Sequence, residues 1–462
     1  MNVINKLGSS SSKVIFNDTK VLKYHSIFSD EEFDAVNKGI ELLSKNNPKT
    51  IHLPELIQKR NSEENIVGLK LYYEQKKLEP WIKHFWITGE QLYSLGKTIL
   101  EQQEILIKSG FCLVDARPEN YWLAEKNGKL VDLGSIKPLT SQNLLSFETD
   151  FQNHILNPLM LEKELNIPVS SFFKGELQKN DINPWGLTGN IKSFKRFRNS
   201  FKQTIVKFIS NKISSSSPEF VNFLNTEWDL GDNNSNQKIK KNEIKNFFKN
   251  KMKLMKKFRP LPSLKSDWIN YNKFHSENYF KKKVFETKQF VSKNSTNTKI
   301  VDLGANLTNK EIIDIDIFID NDLSICREMR SSYADEKIIL QIDIANALCS
   351  SENIDFCALN CFGKARAAVI AGLIHHLIID CGLDINTFYK NLSILFENVL
   401  LEFPNEHDPM VNLLIRKKNE NIFWSWEKQH SNICYKWFDL IKKTDLSDSR
   451  FMLELKSKYN EN

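Results

Sequence analysis

The chain has 462 residues, 41% of them hydrophobic and 26% charged, and a net charge of +7. That length holds two or three domains, and the composition is that of a globular chain, not a disordered or fibrous one. No run is long and apolar enough to read as a membrane span or a secretory leader, so the chain is expected to be cytoplasmic.

Residues 1–165 read as an α+β region. The apolar runs Val14-Ile15-Phe16 and Val21-Leu22-Lys23-Tyr24 flank the Asn17-Asp18 turn and predict two strands. From Asp30 to Ser44, residues Phe33, Val36, Ile40 and Leu43 fall at helical spacing behind a Ser29 or Asp30 cap. Gln91 to Ser109 is a second helix, closed by Gly110.

Phe111-Cys112-Leu113-Val114 then runs into Asp115-x-x-x-x-Asn120, and Lys129-Leu130-Val131 closes on Asp132-Leu133-Gly134. The two pieces resemble the catalytic loop and metal-binding turn of protein kinases. That resemblance implies Asp115 orienting a hydroxyl while Asn120 and Asp132 hold magnesium. Neither a Gly-rich phosphate loop nor a Val-Ala-Ile-Lys strand precedes them, so the expectation is a kinase-like fragment without phosphoryl transfer. The competing reading is an Asx-rich turn that bonds its own backbone. The stretch from Glu148 to Leu161 is assigned to packing or to an acceptor cleft, with His154 as an interior histidine.

Residues 166–262 read as a basic helical region. Phe194, Phe197, Phe201, Ile205 and Ile209 share one helical face, and Ile244, Phe247, Phe248, Leu254, Met255 and Phe258 share another, both set among lysines and arginines. Ser214-Ser215-Ser216-Ser217-Pro218 and Gly231-Asp232-Asn233-Asn234-Ser235 are loops. The helices either contact an anionic surface, collect an acidic acceptor, or pack their apolar stripes on the protein and leave the lysines solvated.

Residues 263–462 carry the chemistry. Trp268-Ile269-Asn270-Tyr271 and Tyr279 lead a helix to Gln289. Lys299 to Gly304, Ile315 to Asp320, Ile338 to Asp343 and Ala367 to Ile379 read as four strands, the last interrupted by His375-His376. Asp384 to Phe396 is a helix, Asn398 to Pro404 a fifth strand, and Asp408-Pro409 a cap with proline at the first helical position. The runs from Trp437 to Lys443 and from Arg450 to Lys456 form an edge hairpin. In a parallel sheet the ligand lies beyond the carboxyl ends of the strands, where Asp302, Asp320, Asp343 and the histidine pair are expected. A carboxylate after the second strand grips a ribose diol, and the lack of Gly-x-Gly-x-x-Gly disfavours a pyrophosphate cofactor. The seven cysteines include no Cys-x-x-Cys pair. Most are read as small core residues, and no metal is expected, at Cys357-x-x-x-Cys361 or elsewhere.

The strings Ile300-Val301-Asp302-Leu303-Gly304-Ala305-Asn306, Leu340-Gln341-Ile342-Asp343, Gly372-Leu373-Ile374-His375-His376-Leu377 and Glu402-Phe403-Pro404, followed by Asp408-Pro409-Met410-Val411, occur in this order. In that order they resemble the class I methyltransferases related to rhizobial nodulation proteins, a family often found with surface-polysaccharide genes. The resemblance implies a C-terminal Rossmann-like class I methyltransferase sheet, with parallel strands and a final antiparallel hairpin. Before it come the α+β kinase-like fragment and the basic helical region. It implies S-adenosylmethionine as cofactor, held by Asp302, Gly304, Asn306, Asp320 and Asp343. The acceptor is then a glycan or another small hydroxyl-bearing molecule, with His375 or His376 as the base and Glu402, His407 or Asp408 as alternatives. One departure is local: the family continues with Thr-Gly where this chain has Leu307-Thr308, so a turn glycine is missing.

Overall fold

The computed structural model describes residues 6–7, 12–16, 20–25, 30–57, 65–66, 69–78, 82–124, 127–165, 168–173, 248–260, 276–295, 299–305, 314–333, 337–351, 356, 359, 367–418 and 422–459. Most of the basic helical region, Trp268, Tyr271, Asn306, the Leu307-Thr308 turn, Cys357 and Cys361 lie outside the described residues. The chain divides into two compact units, one of Met1–Glu79 with Gly89–Pro260 and one of Pro80–Thr88 with Leu261–Asn462.

In the first unit, strands Ser12–Phe16 and Lys20–His25 pair antiparallel, the expected Asn17-Asp18 turn lying outside the described residues, and Lys20–His25 pairs in turn with Leu69–Lys76. Helices Asp30–Asn46 and Gly89–Ile107 follow the apolar spacing, and Gly110 sits at φ 85° just past the second. Part of the basic region is described here, as a helix over 248–257. Its Phe248 and Met255 are buried, and Lys251 is buried in an ion pair with Glu148. For this stretch the apolar stripe packs on the protein.

The second unit is a seven-stranded sheet. Its strands are β1 (Ile300–Leu303), β2 (Ile317–Asp320), β3 (Ile338–Gln341), β4 (Ala367–Ile370), β5 (Asn398–Pro404), β6 (Phe438–Ser447) and β7 (Arg450–Ser457). The spatial order is β3-β2-β1-β4-β5-β7-β6. The first five run parallel, and β7 enters antiparallel between β5 and β6. This mixed, mainly parallel sheet is the architecture implied by the resemblance. Its five parallel strands are buried on both sides, which explains their nearly continuous apolar sequences, whereas the edge strand β6 is largely exposed.

Around the sheet lie α1 (Glu277–Asn294), α2 (Leu323–Ser332), α3 (Ile344–Cys349), α4 (Ile385–Leu395), α5 (Pro409–Lys418) and α6 (Ser431–Trp437). Tyr279, Phe290 and Val291 of α1 join Ile325 and Met329 of α2 in one buried cluster with Ile300, Phe318, Ile339, Leu400 and Met452. Neighbouring Val301, Leu303, Ile317 and Ile319 are equally buried, and by strand alternation they face the other side.

One expected strand is shorter than its apolar run. β4 stops at Ile370, Gly372 turns the chain at φ 72°, and Leu373 opens a wide helical turn, His376–Asp380, through bonds to the His376 and Leu377 amides. A continuous apolar run suits a buried strand and a buried helical turn equally, so periodicity did not separate them.

Asp384 caps α4 by accepting from the Thr387 amide at 2.8 Å. Asp384→Ala is expected to lower unfolding free energy by ~1 kcal/mol in urea titration, with no change of fold by circular dichroism.

Candidate functional site

The carboxyl ends of β1 to β4 converge on a cavity of about 320 Å³, lined by Gly304, Asp320, Asp343, Gly372, Leu373 and His376 among others. That volume lies within the range of small-molecule sites. Parallel pairing causes the convergence, because all four strands deliver their terminal residues to the same edge.

Gly304 follows β1 at φ 72°, a conformation that suits glycine. A Cβ there would meet the Leu373 side chain at 3.0 Å, so the absent side chain keeps the backbone open to the cavity. Asp320 ends β2 and accepts from the Asp322 amide at 2.7 Å. Burial, the main cause, together with the negative charges of Asp322 and Asp302, pushes its carboxyl up to about 8 against the backbone amides that favour the anion. Asp343 follows β3 and accepts from the Asn346 amide at 3.1 Å as the cap of α3. Three of the expected cofactor residues, Gly304, Asp320 and Asp343, therefore share one cavity wall.

Asp302 does not share it. It lies inside β1, level with Phe318 and Val369, and is 1% exposed. Reading the strand to Gly304 placed this acid at the edge, but the carboxyl edge begins only after Leu303. Asp302 instead acts electrostatically on Asp320 and on Tyr333.

The histidine pair is split by the helical turn. His376 lines the cavity. Burial first, then Arg450 and Lys417, pull its imidazole down to about 4, against Asp380, which favours the charged form. His375 is fully buried, outside the cavity lining, with its ring 4.3 Å from that of His376. Neither of its nitrogens has a hydrogen-bond partner among the described residues, and burial holds it well below its ordinary range. A base that touches substrate has to reach the cavity, so His376 meets that requirement and His375 does not.

Glu402 also leaves the list of candidate bases. It is 0% exposed, takes Lys283 Nζ at 3.0 Å and Arg450 Nη1 at 3.0 Å, and accepts a hydrogen bond from Tyr279. Burial alone would push its carboxyl up, but Lys283 and Arg450, with the Tyr279 hydroxyl, outweigh it and hold Glu402 well below the usual carboxylate range. Arg450 then forks onto Asp408, Nε to Oδ2 at 2.6 Å and Nη2 to Oδ1 at 3.1 Å. Asp408 caps α5 as expected, through the Met410 and Val411 amides, and neutralises Arg450 as well. Tyr279 is thereby a core residue, and His407 is exposed. The sequence reading missed Arg450; a lone arginine opening the apolar run Phe451-Met452-Leu453 was the available signal.

In the first unit, Asn120 donates to the Asp115 carbonyl at 3.0 Å, and Asp132 accepts from the Gly134 amide at 3.1 Å. The Val131 and Asp132 amides both donate to the Asn120 carbonyl, so loop and turn are tied together. Arg117 pairs with Asp150 at 2.9 Å. Burial raises Asp115, with Asp150 and Asp132 adding to it and Arg117 opposing. These bonds are those of an Asx-rich turn; the acids are near enough to feel one another, yet no group of three metal-ligating side chains forms among the described residues. His154 is buried, as expected. Cys112, Cys326 and Cys434 are buried, whereas Cys349 and Cys381 are exposed.

Removing one partner of a buried ion pair strands the other, at a cost of about 3–5 kcal/mol. Arg450→Met, which leaves both Glu402 and Asp408, is expected to lose that much in chemical denaturation. Because the folded Glu402 is depressed, its contribution is present above the unfolded carboxylate range and fades as pH falls through the folded value. Glu402→Gln should therefore flatten the acid limb of the stability curve, as read by thermal melts below about pH 4.

No protein-family model matches the sequence, and no curated protein does. Among solved structures, the PH0226 protein from Pyrococcus horikoshii OT3 is 13% identical over 40% of this chain and 93% of its own, with a TM-score of 0.28. A SAM-dependent methyltransferase from Archaeoglobus fulgidus is 9% identical over 38% of this chain and 94% of its own, with a TM-score of 0.26. WbdD is 17% identical over 39% of this chain, with a TM-score of 0.28, and only 36% of the WbdD chain is spanned. No helix among the described residues is long and apolar enough to cross a membrane.

Proposed function

We propose that the second unit is an S-adenosylmethionine-dependent methyltransferase. The observation that carries this reading is the shared wall of Gly304, Asp320 and Asp343: an open backbone turn and two carboxylates, at the carboxyl edge of parallel strands, about one cavity. When bound, S-adenosylmethionine supplies an electrophilic methyl group on a sulfonium. Asp320 accepts from the ribose hydroxyls, Asp343 accepts from the adenine amine, and Gly304 lets the backbone approach the nucleoside. Leu373 and Leu377 form apolar wall.

His376 presents a ring that is neutral at pH 7. Such a ring accepts a hydrogen bond from an acceptor hydroxyl and so orients it. Orientation is the larger part of the task, since placing a nucleophile in line contributes on the order of 7–11 kcal/mol in well-aligned cases. We propose a saccharide or another hydroxyl-bearing metabolite as acceptor, a choice that follows from the sequence resemblance.

Calorimetry with S-adenosylmethionine tests the assignment. Binding is expected in the wild type and lost in Asp320→Ala, and absence of binding in the wild type refutes it. Binding of magnesium-ATP that is lost in Asp132→Ala would instead assign phosphoryl transfer to the first unit. Silence with both ligands would leave a non-catalytic binding protein on this fold.

The raised Asp320 carboxyl gives a second test. A diol is accepted best by the ionised form, so donor affinity is expected to rise with pH up to about 8 and level off, with Asp320→Asn flattening the rise. In the ligand-free protein the sign is reversed. A carboxyl raised on folding gives stability that is full below the unfolded value and is lost as pH rises through the folded one. Asp320→Asn should accordingly melt higher than wild type by a margin that grows up to about pH 8.

A further inference from the structure

We propose that the carboxylates of this cleft select the cationic donor over its neutral thioether product, with Asp380 as the specificity-determining residue; the inference rests on the methyl-transfer reading. The acids lining the cleft are Asp320, whose carboxyl is pushed up to about 8, with Asp322, Asp343 and Asp380, and no lysine or arginine joins them among the described residues. Three of these acids have structural partners. Asp320 holds the Asp322 amide, Asp322 caps α2 through the Ser324 and Ile325 amides, and Asp343 caps α3.

Asp380 has neither a hydrogen bond nor an ion pair among the described residues. It ends the turn that begins at His376, is exposed, and faces the cleft beside Cys381. Around it, His376 is neutral, and Asp343 is close enough to act on Cys381. The cations of the packed α5 helix, Lys417 and Lys418, act on His376 and Cys381 without lining the cleft. A bound cation therefore meets negative charge on the strand-end wall and on the helical-turn wall. In a cleft partly shielded from solvent, such attraction is weakened less than at an open surface.

The reaction removes this attraction. The methyl carbon bonds the acceptor oxygen as its bond to sulfur breaks, the electron pair stays on sulfur, and the hydroxyl proton passes to water. The positive charge that the acids attract is gone once transfer is complete. Spent product then lacks the sulfonium attraction, and it exchanges for fresh donor.

The test is calorimetry on the full chain with three ligands: S-adenosylmethionine, the thioether S-adenosylhomocysteine, and sinefungin, which carries an ammonium group in place of the sulfonium. Both cations are expected to bind about tenfold tighter than the thioether at low salt, with the gap closing at about 0.5 M salt. Asp380→Asn, at an exposed position, should narrow the gap by weakening the cations and leaving the thioether within about twofold. Thioether binding as tight as that of the cations, or equal weakening of all three by Asp380→Asn, overturns the inference while the methyl-transfer reading stands. Binding of none of the three overturns both.

Discussion

A carboxylate sealed from water keeps its charge only where cations are fixed against it, and Glu402 meets that condition through Lys283 and Arg450. Its partners come from separate parts of the chain: Lys283 and Tyr279 from α1, Arg450 from the first residue of β7, and Asp408 from the entry to α5. The two cations and two carboxylates balance, so the cluster carries no net charge into the core. Ion pairs of this kind have tight distance requirements, so they fix how α1, β5, β7 and α5 sit relative to one another. β4 pairs along its length with the first four residues of β5, and β4 leads into the wall of the cavity, so the constraint reaches the site through one ladder of backbone hydrogen bonds.

The same chemical groups serve opposite ends on the two sides of His375 and His376. Behind the pair, acids and bases are matched and silent. In front of it, the acids of the cleft have no cation opposite them among the lining residues. The buried charges are matched by ions of opposite sign, whereas the cleft acids are held by backbone amides or, at Asp380, stand exposed, which on the proposed reading leaves them to meet a cationic ligand.

Much of the sheet was legible because its elements obey local rules. β5 was read from Asn398 to Pro404 as observed, the helix cap at Asp408 follows from residue type, and the strand-end acids Asp320 and Asp343 lie where parallel topology puts them. What was not legible depended on partners distant in sequence. Asp302 and Asp320 look alike as acids near the end of apolar runs, and only the register of β1 against β2 and β4 separates a core acid from a cleft acid. Glu402 reads as a strand-end acid like the others until Arg450, 48 residues later, is brought beside it. The division of the histidine pair turned on a single glycine, Gly372, whose positive φ converts a strand into a helical turn.

The position of β7 carries a consequence for how the molecule is made. Among the described strands of the sheet it comes last in sequence, yet it lies inside the sheet, against β5. During synthesis β5 emerges long before its neighbour does, with one backbone edge and two buried-to-be carboxylates open to solvent. The parallel half can collapse early, but the site it supports is locked only when the segment beginning at Arg450 leaves the ribosome and slides into the gap.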